Sequence, residues 1–424
     1  MKRQINNNIF FFCCLFFTII LILIRDLLFL NIPFLVFTII CLFSSFILNQ
    51  ENRFIYLLSL LPFCKGLPYS EMILFVLFVD FIFELKKKQR FINIIDVVSI
   101  IGLLIIELIN YVHYNILSNA IFYLIIYMFL VSYVVNKNII KIMRKKLIVT
   151  FSISVIIAVC SIAIREIIVF GLDYIIAYNL RFGANIKNMT GTSFNSNELG
   201  LYCVVACSLL LLLFKNQNKK TFLILAAICS ALGMLSVSRT FIALIILVWM
   251  LFIIASKIKI KYILFSTVAI VIVFLISYFF NNEFIVWLFD FSKNRTVSES
   301  ILNVDRIELL NLYNYYTFSN VRSIVMGYSQ KYMTILNTEV AVHNALQEVF
   351  VCWGLIGFII SFMWIFNLVK LQIKNSMKFK ISYLLPFLVF IVYVQTIQLF
   401  TMNSYLIIML ITIISAGINT ENCR

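Results

Sequence analysis

The chain reads as an all-α, polytopic integral membrane protein, and three observations lead there. Hydrophobic residues make up 63% of the 424 positions and charged residues 12%, with a mean hydropathy of +1.05. A soluble domain holds about 45–50% apolar and about 25% charged residues, so no soluble fold could bury this much apolar surface. Apolar runs of membrane-crossing length recur from end to end. They are continuous and do not alternate with period two, which excludes a transmembrane β-barrel and leaves helices.

Taken in order, the apolar runs are 9–24, 27–48, 54–64, 71–85, 91–110, 117–135, 147–169, 197–214, 221–237, 241–256, 262–280, 344–369, 382–400 and 403–418, which predicts about 12–14 transmembrane helices. The runs 54–64 and 71–85 are short. Pro62, Lys65-Gly66 and Pro68 join them, as in two short helices or a re-entrant pair. The chain divides into N-terminal helices over 1–170, helices with a long outer arginine loop (about 171–196) and a Ser-Arg turn over 171–280, one large polar loop over 281–343, and C-terminal helices over 344–424. Within the large loop Ile301, Val304, Ile307, Leu309, Leu310 and Leu312 recur at near-helical spacing among Asp305, Arg306 and Glu308, which predicts amphipathic helices on the membrane surface.

The net charge of +16 does not point to nucleic acid. The basic residues fall in alternate connectors: Lys86 to Arg90, Lys137 to Lys146, Lys215 to Lys220, Lys257 to Lys261, and Lys370 to Lys380. That alternation places both termini and every basic cluster in the cytoplasm and both long polar connectors outside. Met1-Lys2-Arg3 leads into a first span with no small-residue cleavage site. The ten cysteines sit mostly inside apolar runs, where they behave as small hydrophobes.

Charged residues on the outer side are few. Arg181 lies in Asn179-Leu180-Arg181-Phe182-Gly183, ahead of Asn195-Ser196-Asn197-Glu198. Arg239 lies in Ser236-Val237-Ser238-Arg239-Thr240, pinched between two apolar runs. Arg306 lies in the large loop, and His343-Asn344 stand where that loop meets the next apolar run. A guanidinium binds phosphate oxygens in a fork and keeps its charge, and an imidazole exchanges protons near neutral pH. Structural readings stand beside these. Arg239 can snorkel or pair with a carboxylate, Arg181 can serve a turn beside Gly183, and Arg306 can belong to a surface network with Asp305 and Glu308. Asn344 can cap a helix. His113 reads as interfacial structure in a short connector, and Arg25-Asp26 and Arg165-Glu166 read as short-range pairs at span ends. No Walker loop, HExxH helix, Cys/His cluster or Gly-x-Ser-x-Gly elbow occurs, so neither a cofactor nor a metal is expected.

The ordered set Arg181, Ser193–Gly200, Ser238-Arg239, Arg306, Met326-Gly327-Tyr328-Ser329, His343-Asn344, and Gly354 with Gly357 resembles the O-antigen ligase and Wzy-type polysaccharide polymerase family. The resemblance covers about residues 180 to 370. The segment 195–197 departs from the family's Asn-Pro-Asn form by losing the proline. The resemblance implies polymerisation of undecaprenyl-diphosphate-linked oligosaccharide repeats at the outer face of the bacterial cytoplasmic membrane. It implies His343 and Arg239 as catalytic, and Arg181, Arg306, Asn344 and Ser238 as substrate-binding. It also implies a lipid bilayer and partner proteins of the flippase and chain-length-regulator kind, and no nucleic acid. A ligase of the same class, and a lipid-linked oligosaccharide flippase or transporter, are the alternatives.

Overall fold

A computed structural model describes residues 2–63, 76, 79, 82, 92–140, 143–177, 182–183, 192, 194–256, 308–338, 340–374, 381–397, 399–400 and 403–416. Among these residues there is no β-strand. The helices are α1 (Lys2–Leu27), α2 (Phe34–Ile47), α3 (Gln50–Ser59), α4 (Ile94–Tyr114), α5 (Ala120–Lys137), α6 (Arg144–Phe170) and α7 (Leu172–Ala177). They continue with α8 (Ser196–Gln217), α9 (Lys220–Met234), α10 (Arg239–Ser256), α11 (Val321–Met326), α12 (Tyr332–Leu336), α13 (Ala345–Lys374), α14 (Leu385–Tyr393) and α15 (Asn403–Ser415). Six of the described helices are long and apolar enough to cross a membrane, and shorter apolar helices lie at 35–47, 220–234, 239–254, 385–396 and 405–415. The apolar runs 71–85 and 262–280 fall mostly or wholly outside the described residues.

The helices surround α8, whose membrane-crossing stretch is 89% buried. α6, α9, α10 and α14 pack directly against it. The peripheral helices turn large apolar side chains outward instead, such as Phe16, Phe43, Ile94 and Val112, and lipid is the environment in which such faces are stable. Polar side chains fasten the ends of the bundle. At one end Asp96 of α4 accepts from Asn136 of α5 (2.7 Å) and Asn367 of α13 (2.9 Å), and Arg144 of α6 donates to Gln372 of α13 (3.0 Å). Lys137, Lys145, Lys146, Lys215, Lys219, Lys220, Lys370 and Lys374 are carried by the helix termini of this same end.

Several spans differ from the sequence reading. The run 27–48 is not one helix. The residue before a proline is pushed out of the α region, so the chain turns at 28–33 and α2 starts only after Pro33. The run 344–369 extends to Lys374 and is broken at Gly354. The run 382–400 is helical only from Ile381 to Thr396, in 3-10 and α turns, and Ile397 is extended. His113 is not in a connector. It lies in the last turn of α4, which Asn115 closes in the left-handed region at φ 55°. Within the described part of the large loop, residues 308–318, α11 and α12 are helical.

Candidate functional site

At the bundle end opposite the lysines, α8 starts in a reciprocal cap. The Asn195 side chain accepts from the Glu198 amide (2.8 Å), and the Glu198 carboxylate accepts from the Asn195 amide (2.9 Å). The second Glu198 oxygen accepts from the Tyr405 hydroxyl (2.7 Å). The Asn197 carbonyl accepts from the Tyr393 hydroxyl (2.8 Å), which also lies 3.3 Å from Ser238 Oγ. The asparagine pair thus has two separate uses: Asn195 caps the helix, and Asn197 offers its backbone to Tyr393.

Ser238 is buried, while Arg239, the first residue of α10, is exposed. The turn before them is tight. Ser236 Oγ donates to the Gly233 carbonyl (2.7 Å) and accepts the Ser238 amide (3.3 Å). Val237 sits at φ 44°, where a β-branched residue is strained by about 1–3 kcal/mol. Its side chain is buried against Ile175 and Phe182. That contact joins the Ser-Arg turn to the stretch that follows Arg181. Arg181 and Arg306 themselves lie outside the described residues.

Gly183 and Thr192 are held by buried charges that the sequence reading took for simple pairs. Arg25 and Asp26 do pair, at 2.7 Å. Beyond this, both Glu166 oxygens accept the Gly183 amide (3.0 Å each), Asp26 accepts the Thr192 amide (3.2 Å), and Arg165 donates to the Thr192 carbonyl (3.2 Å). Charges buried this deeply persist only when hydrogen bonds satisfy their remaining lone pairs and protons. Asp26, Arg165 and Glu166 obtain such bonds from backbone groups of Gly183 and Thr192, and Arg25 donates to the Thr192 hydroxyl (3.4 Å).

His343 is exposed at the start of α13. Asn344 caps the helix, accepting the Leu346 (2.9 Å) and Gln347 (3.0 Å) amides, as the sequence allowed. Two tyrosines pin the residues before His343. Tyr313 donates to the Val340 carbonyl, and Tyr332 accepts the Val342 amide (2.9 Å). Burial pushes both phenols above their ordinary value, so both remain protonated hydrogen-bonding groups. One turn into α13, Glu348 is fully buried and accepts the Leu399 (2.7 Å) and Phe400 (3.1 Å) amides.

The Gly-Tyr segment and the spaced glycines meet. Gly354 interrupts α13 at φ 61°, ψ −161°. An interruption leaves the preceding carbonyls without their i+4 donors. The Tyr328 and Ser329 amides take that place, donating to the Val351 (2.8 Å) and Cys352 (2.7 Å) carbonyls. Gly327, at φ 68°, faces the same strand of backbone, and a Cβ on it would lie 2.5 Å from Trp353 N. Gly357 instead lies against Trp353 one turn earlier, whose Cβ an added Cβ would meet.

The described residues of the segment 393–405 tie two of the motifs together and reach the helix that follows a third. They hold Asn197 and Ser238 through Tyr393, Glu348 through two amides, and Glu198 through Tyr405. Sequence reasoning passed over this segment. Its signal was the polar interruption Gln395, Thr396, Gln398, Thr401, Asn403 and Ser404 between two apolar runs. An open apolar groove of about 270 Å³ runs between α13 and α14, from Ala345 and Leu346 beside the Asn344 cap down to Val369. No family model, curated protein or solved structure matches the chain.

Proposed function

We propose that this protein is a glycosyltransferase that polymerises oligosaccharide repeats carried on undecaprenyl diphosphate, at the outer face of the bacterial cytoplasmic membrane. The observation that carries the reading is that Tyr393, Leu399 and Tyr405 meet Asn197, Ser238, Glu198 and, one turn beyond Asn344, Glu348, at the bundle end away from the lysines. By the positive-inside preference that end faces outward, with both termini in the cytoplasm. The groove beside Asn344 suits a long isoprenoid tail whose diphosphate would stand at the height of Arg239 and His343.

In this reaction an acceptor hydroxyl attacks the anomeric carbon of the donor glycan. The new C–O bond forms as the bond to the lipid diphosphate breaks. Arg239, with Arg181 and Arg306, neutralises the charge that collects on the departing diphosphate. His343 takes the proton of the attacking hydroxyl, and Asn344 fixes the start of the helix that presents it. Ser238 lies within the turn that aims Arg239. A ligase of the same class would use the same groups on a different acceptor.

A transporter of lipid-linked glycans is the second reading, since broken helices like α13 are common in transporters. There, however, the freed carbonyls coordinate cargo or ions, whereas here Tyr328 and Ser329 occupy them. The test is the purified protein in proteoliposomes with a lipid-diphosphate oligosaccharide. A ladder of longer glycans with release of lipid diphosphate is expected. Movement of intact donor between leaflets, with no ladder, would overturn the reading in favour of transport.

A further inference from the structure

We propose that Glu107, in an apolar helix distant in sequence from the motifs above, is a positioning residue of the candidate site. The inference rests on the glycosyl-transfer reading for its functional consequence, and on geometry alone for its structural one. Glu107 is 1% exposed. Its Oε1 accepts the Ser329 hydroxyl (2.6 Å) and the Gln330 amide (3.3 Å), and its Oε2 accepts the Trp353 indole N–H (3.0 Å). Three donors converge on two oxygens, so only a group that accepts at both oxygens satisfies them all.

The partners are the residues that make the break in α13. Trp353 directly precedes Gly354, and Ser329 supplies one of the two amides that cap the broken carbonyls. Ser329 is held at φ 83°, a left-handed backbone state that non-glycine residues seldom adopt. Glu107 thus bonds at once to the capping loop and to the last residue before the break. One turn along α4, Asn110 repeats the arrangement. It donates to the Met326 (3.0 Å) and Cys352 (3.5 Å) carbonyls and accepts from Arg322 (3.0 Å). The direction of the half-helix 345–353, and with it the placement of His343 and Asn344, is therefore set from α4.

The test uses Glu107→Gln in the full-length protein in nanodiscs. The amide keeps an acceptor for Ser329 and Gln330 but turns a donor toward the Trp353 indole. Hydrogen exchange over residues 326–332 is expected to accelerate. Turnover is expected to fall about tenfold, equivalent to about 1.4 kcal/mol, with little change in the KM for the lipid-linked donor. Adding Trp353→Phe removes the opposed donor, so the double variant should recover both readouts relative to Trp353→Phe alone. Ser132→Ala, which removes the acceptor for the Trp364 indole (2.8 Å) at the other end of the bundle, should lower stability without this split. Wild-type exchange in Glu107→Gln, or no recovery in the double variant, overturns the proposal. So does accelerated exchange with unaltered turnover. If the wild-type protein transfers no sugar, the glycosyl-transfer reading fails, and the exchange arm still decides whether Glu107 positions the break.

Discussion

Gly354→Ala is the most informative single substitution. Gly354 occupies a backbone region that is essentially closed to other residues, and an added Cβ would stand 2.5 Å from Val325 C and 2.6 Å from Met326 N. Both obstacles are backbone, so neither can rotate away. The conformation alone costs about 1–3 kcal/mol. Overpacking adds about 1–3 kcal/mol. If the chain yields by separating the two segments, the Tyr328 and Ser329 hydrogen bonds go too, at about 0.5–1.5 kcal/mol each. The expected loss is roughly 2–6 kcal/mol. Gly171→Ala is the matched control. Its φ of 79° and ψ of 147° are similarly restrictive, but no atom of the described residues lies within 4 Å of the added carbon. It should lose only about 1–3 kcal/mol. Denaturant titration in mild detergent measures both. Equal losses in the two variants would refute the close packing of the Gly327 and Gly354 segments, and a stable Gly354→Ala would refute the break itself.

Tyr332→Phe leaves the buried Val342 amide without its acceptor, which costs about 1–3 kcal/mol, and loosens the residues ahead of His343. Product chain length should shorten while the protein still inserts. Glu348→Ala strands the Leu399 and Phe400 amides together and should lower the unfolding temperature more than Tyr332→Phe does. Because burial raises Tyr313 and Tyr332 in the folded state, their contribution is complete below the ordinary phenol value and is lost as pH rises beyond it. A melting series toward alkaline pH should therefore fall, and less steeply in Tyr332→Phe.

The membrane class was legible because it depends on composition and run length, which need no tertiary knowledge. The Asn344 cap was legible because capping is local. Span boundaries failed where long-range partners intervene. Nothing near Leu399 in sequence announces that Glu348 will capture its amide and end the helix early. The sequence also shows Gly354 as one small residue among apolar ones, and only the Tyr328 and Ser329 amides reveal it as a break. The charges Arg25, Asp26, Arg165 and Glu166 looked self-sufficient because their neighbours are each other. Their shared task, holding Gly183 and Thr192, links positions as distant in sequence as Asp26 and Thr192. Glu107 and Asn110 were the strongest missed signal, since polar groups inside a membrane span are costly enough to need a reason.

The most direct test of the central claim is the size distribution of the cell's surface glycan when the deleted gene is replaced by the His343→Ala form. The account predicts single repeat units in place of long chains, with the variant present in the membrane at normal abundance. Long chains of wild-type length would contradict it, and repeats trapped on the cytoplasmic leaflet would identify a transporter instead.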